Sequence, residues 1–279
     1  MNFKDQKQIE RMVQNSNVVI NLLGPRHKIK KQEDFEFINI EAAERIAKAC
    51  VKHGVHRLIH FSAAGAEANS PSLDFSTKHQ AEEVVKKIFP NVTIFRPCPI
   101  FGLNDYFASI IRGQLNFTWN KFVPVYDDCL TKKQPIKQDD VSLCVLNALK
   151  LENSKGKTYE LGGPHALTML EIYEIIFNIM KLRPSLAYLN PQYMEVIAKY
   201  IYNWPYFSLE LLRKRTFWLT EGKIEEVVKD DRYLTAKDLL VEPVSFKSGV
   251  YDVLRDYIAY YRELDEDYDN WAHEWDSLI

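Results

Sequence analysis

The stretch NVVINLLG, Asn17 to Gly24, decides the fold. It is an almost unbroken apolar run, opens with the β-branched Val18, Val19 and Ile20, and stops on a glycine. That is how a strand buried on both faces of a parallel sheet reads. Ahead of it, Phe3, Ile9, Met12 and Val13 stand close to helical spacing and predict a short helix leading into the strand. Beyond a polar loop, Ile40, Ala43, Ile46, Ala47 and Cys50 form one face of a helix over Ile38 to His53, and Gly54 stops it. VHRLIHF at 55–61 is a second strand, and Lys78 to Phe89 a helix with Ala81, Val84, Val85 and Ile88 on one side. VTIF at 92–95 is a third strand. Strands alternating with helices across short connections predict a Rossmann-like, doubly wound parallel sheet of the α/β class.

Downstream, Asp139 to Leu149 reads as a helix, Lys157 to Leu161 as a short strand, GGP at 162–164 as a turn, and Leu167 to Met180 as another helix. After Pro184 the pattern changes. Residues 1–180 therefore read as the α/β domain and 181–279 as a helical, aromatic-rich extension. Pro191 to Trp204 is helical and loaded with aromatics, and Leu209 to Leu219 mixes Arg213, Lys214 and Arg215 with Phe217 and Trp218. A segment of this kind, Tyr193 to Trp218, suits a membrane interface or a large partner; it equally suits a helical subdomain whose aromatics are core. An apolar-periodic helix from Val250 to Tyr261 precedes an acidic, aromatic end.

The bulk numbers exclude several classes. With 46% hydrophobic and 27% charged residues, the 279-residue chain has material for a large core and lacks the composition of disorder. A formal net charge of −2 gives nucleic-acid binding no support at the level of the whole chain. No apolar run approaches the roughly 18–20 residues that span a bilayer. Cys50, Cys98, Cys129 and Cys144 are scattered in apolar contexts and read as buried thiols rather than as a metal or disulfide set. His53, His56 and His60 cluster in sequence but lie on a helix end and a strand, pointing different ways, so no metal site is expected. Asp139 and Asp140 read as an N-cap and first-turn charge, and Asp127 and Asp128 as loop carboxylates.

Doubly wound domains hold a dinucleotide pyrophosphate on a glycine-rich turn at a helix N-terminus. The ten glycines of this chain compose neither GxGxxG nor GxxGxxG. The remaining motifs nevertheless fall in a telling order: NVVINLLG at 17–24, VHRLIHFSAAGA at 55–66, the Lys78 helix, TIFRPCPIFG at 93–102, QPIKQDDV at 134–141 and YELGGPHALTMLEI at 159–172. In this order they resemble the atypical short-chain dehydrogenase/reductase family, and within it the nucleotide-binding accessory branch of mitochondrial complex I, the NADH:ubiquinone oxidoreductase.

The resemblance implies that NVVINLLG corresponds to the family's fourth strand. The sheet would then be short of its first strand–helix units, with a long edge that another chain is expected to cover. It also implies a nucleotide cleft lined by Leu23, Gly24, Ser62, Lys78, Pro97 and Ile100, with NADP(H) held as a structural group. From the residues alone, Gly24 is equally a turn, Ser62 a strand-end hydroxyl and the prolines loop stiffeners. Active members of the family place a tyrosine four residues before a lysine like Lys78, and a catalytic hydroxyl after the preceding strand. Here those positions hold Asp74, and Ala63 and Ala64. An ionised carboxylate cannot donate a proton as a phenol does, and Asp74 at i, i+4 to Lys78 reads as a helix-surface ion pair. The implied role is a noncatalytic accessory subunit with no catalytic residues. It would support assembly and stability where the matrix and membrane arms meet, on the matrix side of the inner mitochondrial membrane. Its partners would be other complex I subunits, and the membrane surface through the extension. The alternatives are a working NADP(H)-dependent reductase or isomerase of the same superfamily, and a stand-alone nucleotide-responsive regulator.

Overall fold

Asp5 opens the first helix by accepting a hydrogen bond from the Lys7 backbone at 2.9 Å, an N-cap that satisfies one of the free amides of the first turn. The computed structural model that carries this description covers residues 3–24, 32–103, 105, 107, 108, 111, 122–126, 129–183, 185–189, 224–229 and 231–264. Helix α1 (Gln6–Val13) buries Ile9 and Val13 and leads into β1 (Val18–Asn21). A helical stretch follows: α2 (Gln32–Phe35), a π-helical turn over Glu36–Glu41, and α3 (Ala42–Lys52). Then come β2 (Arg57–Phe61), α4 (Leu73–Ile88), β3 (Thr93–Pro97) and β4 (Ile100–Phe101). Further on lie β5 (Phe122–Tyr126), β6 (Lys132–Lys133), β7 (Ile136–Lys137), α5 (Gln138–Lys150), β8 (Thr158–Leu161) and β9 (Leu167–Thr168). The last elements are α6 (Met169–Met180), β10 (Ser185–Leu189) and α7 (Phe246–Leu264).

The main sheet is parallel throughout, in the order β1-β2-β3-β8. Its two faces carry separate cores, because successive side chains on a strand point to opposite sides. Leu58 and Ile94 meet α1, α3 and α4 through Ile9, Ile46, Ala81 and Val85. Ile59 and Phe95 meet α5 through Val141, Cys144 and Ala148. A third core joins Phe101 to α6 and α7 through Ile172, Ile176, Phe246, Val250 and Leu254. Small parallel pairings, β4 with β7 and β5 with β10, flank these layers, and β6 pairs antiparallel with β9.

Three expectations need correction. The strand at NVVINLLG is not buried on both faces. Asn21 is buried, but Val18, Ile20 and Leu22 are 40%, 41% and 68% exposed. The reason is its place at the sheet edge: α5 covers β2, β3 and β8 but stops short of β1. The cap of α5 is Lys137 rather than Asp139 or Asp140; both carboxylates sit in the first turn, and buried Asp140 accepts from the Val244 backbone at 2.8 Å. Helix α4 starts at Leu73, five residues before the first residue of the expected helix, which brings Asp74 into its first turn.

All four cysteines are buried and none forms a disulfide. Residues 231–241 return to the sheet: Glu160 donates its backbone N–H to the Leu234 carbonyl at 2.8 Å, and Leu239 and Val241 enter the core under α5. The helices expected over Pro191–Trp204 and Leu209–Leu219, and the loop carboxylates Asp127 and Asp128, lie outside the described residues.

The GGP turn after β8 is set by close approach. A Cβ on Gly163 would stand 2.2 Å from the Pro135 carbonyl oxygen, a backbone atom that cannot swing aside. Gly163→Ala is therefore expected to lower stability by about 1–3 kcal/mol, read as a drop in the urea midpoint with an unchanged m-value.

Candidate functional site

All six residues expected to line a nucleotide cleft come together. Leu23 and Gly24 follow β1, Ser62 follows β2, Lys78 projects from α4, Pro97 ends β3 and Ile100 begins β4. They border one cleft of about 650 Å³ at the carboxyl ends of the strands, closed on its far side by Val141, Val145 and Leu146 of α5. That end of a parallel sheet is where ligands of doubly wound folds sit. The walls are mainly apolar. Ser62, Lys78, Gln138 and Ser142 are the polar residues of the lining, and the Ser62 hydroxyl is buried with no hydrogen-bond partner, a group that a ligand or water would satisfy.

Lys78 is not a free cation. Its ammonium donates to Asp74 Oδ2 at 2.8 Å, while Asp74 Oδ1 accepts from Asn39 Nδ2 at 3.0 Å. Asn39 also reaches Thr77 Oγ1 at 2.8 Å, and that hydroxyl donates to the Leu73 carbonyl at 2.6 Å. The expected helix-surface ion pair is thus a buried one, with side-chain exposures of 8% for Asp74 and 18% for Lys78. The physical cause is the early start of α4, whose first turn packs against the π-helical turn that carries Asn39. A π turn adds a residue to the ladder and re-aims the side chains beyond it, a feature frequent at functional sites. A carboxylate clamped between an ammonium and an amide accepts on both oxygens.

Beneath the cleft floor, Asn21 Nδ2 lies 3.0 Å from His60 Nδ1, and Asn21 Oδ1 accepts from the Leu23 backbone at 3.1 Å. This pair fixes the start of the Leu23–Gly24 lip. Burial, with a smaller contribution from Lys78 and against the pull of Glu82, pushes the His60 imidazole down to about 4, so it is neutral at pH 7. His53 is half-buried and His56 exposed; among the described residues, no group of three or more His, Cys, Asp or Glu side chains is arranged to hold a metal ion.

Near His60 a charge cluster crosses the sheet. Arg96 of β3 grips Glu82 of α4 with both arms, Nε to Oε1 at 2.9 Å and Nη2 to Oε2 at 2.8 Å, and reaches Glu160 of β8 at 3.4 Å. The Tyr233 ring lies 4.4 Å from the guanidinium carbon. Burial raises the Glu160 carboxyl above its ordinary range, opposed by the Lys229 backbone N–H and by Arg96. Sequence reading missed Asn39, Asn21 and Arg96. The motif TIFRPCPIFG contained a hint, an arginine inside an apolar strand, since a charge in such a place is almost always paired.

With this geometry in hand, the relatives decide the family. The chain is 32% identical over 263 residues to the mitochondrial NADH-ubiquinone oxidoreductase 40 kDa subunit of Neurospora crassa, covering 92% of this chain and 66% of that protein. It is 32% identical over 264 residues to the mitochondrial NADH dehydrogenase (ubiquinone) 1 alpha subcomplex subunit 9 of Mus musculus, with the same coverage. The chain belongs to this complex I subunit family. It spans about two thirds of the length of these relatives, and 45% of the Arabidopsis thaliana subunit 9, to which it is 34% identical.

A family model described as NAD(P)H-binding matches residues 1–101 of the chain. Solved structures agree on the fold alone. UDP-glucose 4-epimerase of Thermotoga maritima superposes with a TM-score of 0.67 at 14% identity, over 95% of this chain and 84% of that one. The dTDP-glucose 4,6-dehydratase of Streptomyces venezuelae, solved with NAD bound, gives 0.65 at 16% identity, over 94% and 78%. No helix among the described residues is long and apolar enough to cross a membrane.

Proposed function

We propose that this chain is a noncatalytic accessory subunit of mitochondrial complex I that uses a reductase scaffold to hold a structural NADP(H) and to dock on neighbouring subunits. The observation that carries this reading is the clamped Asp74. At the point where active relatives of the fold keep a proton-donating tyrosine, a carboxylate accepts from Lys78 and Asn39 at once. The names of the relatives supply the complex. A nucleotide would meet the unpartnered Ser62 hydroxyl and the Lys78 ammonium at the floor, with its apolar parts against Pro97, Ile100 and the α5 wall.

Docking is read from the β1 edge. On its outer side β1 has no strand partner among the described residues, and Val18 stays exposed beside it, with the exposed Ile20 and Leu22 next along the chain at the border of the cleft. Unpaired edges with apolar side chains are templates for another chain. A polypeptide that adds a strand there and lays an apolar face on these residues completes the sheet. The extension from residue 181, with its aromatic and basic segment Tyr193–Trp218, is the second docking element, directed to the membrane arm on the matrix side of the inner membrane. Val18→Asp should leave the stability of the isolated chain within about 0.5 kcal/mol, as an exposed change does, yet prevent its incorporation into complex I in cells lacking the native copy. Normal incorporation would remove the β1 edge from the account.

One observation favours a second reading. Ser62 and Lys78 share a cleft, so a working NADP(H)-dependent reductase has part of its site in place. Titration of the purified chain with NADPH, with and without candidate carbonyl substrates, separates the two. The accessory reading expects binding without turnover, and Lys78→Ala to weaken binding about tenfold, roughly 1.4 kcal/mol. Turnover that Lys78→Ala abolishes would establish the reductase instead.

A further inference from the structure

Residues 224–229 run against the Ala63–Glu67 loop at Gly65 and pair by backbone with Lys132 and Gln134. We propose that they are a strap that couples the C-terminal extension to this loop, and through it to Ser62. At the leading end, buried Lys133 donates to the Ile224 carbonyl at 2.6 Å and pairs with Glu226 Oε1 at 2.5 Å. Glu226 also pairs by its backbone, accepting from Gln134 at 2.9 Å and donating to the Lys132 carbonyl at 3.2 Å. At the trailing end, the Val228 and Lys229 backbones donate to Gln134 Oε1 at 2.9 Å and Glu160 Oε2 at 2.8 Å.

The middle of the strap presses on glycine. A Cβ on Gly65, whose φ is +83°, would stand 3.2 Å from the Glu225 carbonyl oxygen, and one on Gly162 would stand 2.5 Å from Val228 Cγ2. The Lys229 ammonium then closes the ring by pairing with Glu67 on the loop. The strap therefore touches the loop at both Gly65 and Glu67, while its other contacts are to the β6–β7 connection and β8. Ser62 begins that loop and supplies the cleft's orphan hydroxyl. Residues 224–229 belong to the C-terminal part of the chain, so a displacement of this segment reaches Ser62 within a few residues of its contacts with Gly65 and Glu67.

For its purpose this inference rests on the docking role proposed for the extension; for its existence it rests only on the contacts above. Hydrogen exchange on the full chain tests it, comparing wild type with Glu226→Ala. The expected result is exchange at least tenfold faster at the amides of Gln134, Val228 and Lys229 and, together with them, at Ala64 and Ala66, while α1 and α3 are unchanged. Faster exchange confined to 224–229 and Gln134, faster exchange shared equally with α1 and α3, or no change at all overturns it. Should Glu226→Ala fail to fold because Lys133 is left short of its carboxylate, Gly65→Ala and Lys229→Gln strike the same contacts from the loop side and give the same readout. None of these outcomes bears on nucleotide binding, which the Lys78→Ala titration addresses.

Discussion

Arg96→Ala is expected to lower the unfolding free energy by about 3–5 kcal/mol, because removing one member of a buried ionic group leaves the others without their shared counter-charge. The guanidinium is 4% exposed, and its carboxylate partners Glu82 and Glu160 are 0% and 1% exposed. Truncation leaves Glu82 with Lys86 at 3.8 Å and Glu160 with the Lys229 backbone N–H, and takes the cation from the Tyr233 face. Arg96→Lys restores one charge but not the two-armed grip on Glu82, so it should recover only part of the loss. The surface pair of Lys48 with Glu44 is the control: breaking it should change stability by no more than about 0.5 kcal/mol. Urea unfolding measures all three. A loss below about 1 kcal/mol for Arg96→Ala would mean that the cluster is hydrated and contributes little to the fold.

The second large effect is on pH. His60 titrates near 4 in the folded protein against an ordinary 6.5, so between those values the unfolded chain binds more protons. Stability then rises with pH through this window; equivalently, it is fully present above about 6.5 and falls as the pH drops toward 4. The slope cannot exceed about 1.4 kcal/mol per pH unit for one group, and the full difference is about 3 kcal/mol. Glu67, Glu152 and Glu171 are shifted downward by their partners and lose their contributions only below the ordinary carboxylate range. In the interval from about 6.5 to 4.5 His60 therefore sets the downward slope, and Glu160, whose buried carboxyl is raised above the ordinary range, acts in the opposite sense by taking up its proton first in the folded chain. His60→Gln should flatten the profile there; an unaltered slope in that variant would assign the effect to another group.

Strand ends were the legible part of the site. An apolar run announces where a strand stops, and in a parallel sheet the residues just past those stops converge. That is why Leu23, Gly24, Ser62, Pro97 and Ile100 can be placed side by side from the runs and the order of the motifs. Lys78 was legible through the family resemblance, which puts a lysine four residues after the position that Asp74 holds here. The surroundings of Asp74 were not. Its burial depends on a π-helical turn, and one extra residue in a helical repeat leaves no mark in an apolar period of 3.6.

The Asn21–His60 pair lies across two strands 39 residues apart, and the Arg96–Glu160 contact spans 64 residues; neither is local enough to show in a sequence window. The return of residues 231–241 to the sheet escaped for the same reason. Leu234, Leu239 and Val241 look like any loop apolars until β8 is found beside them. The exposed side of β1 was hidden by composition, since Val18, Ile20 and Leu22 are as apolar as a strand buried on both faces requires.

The central claim is that a hydride-transfer scaffold with a clamped carboxylate in place of its acid works as a structural part of complex I. Native mass spectrometry of complex I purified from the source cells tests it most directly. The account predicts this chain in the intact complex with NADP(H) retained and no NADPH-consuming turnover of its own. Finding it instead as a free protein outside the complex, turning over NADPH with a carbonyl substrate, would contradict it.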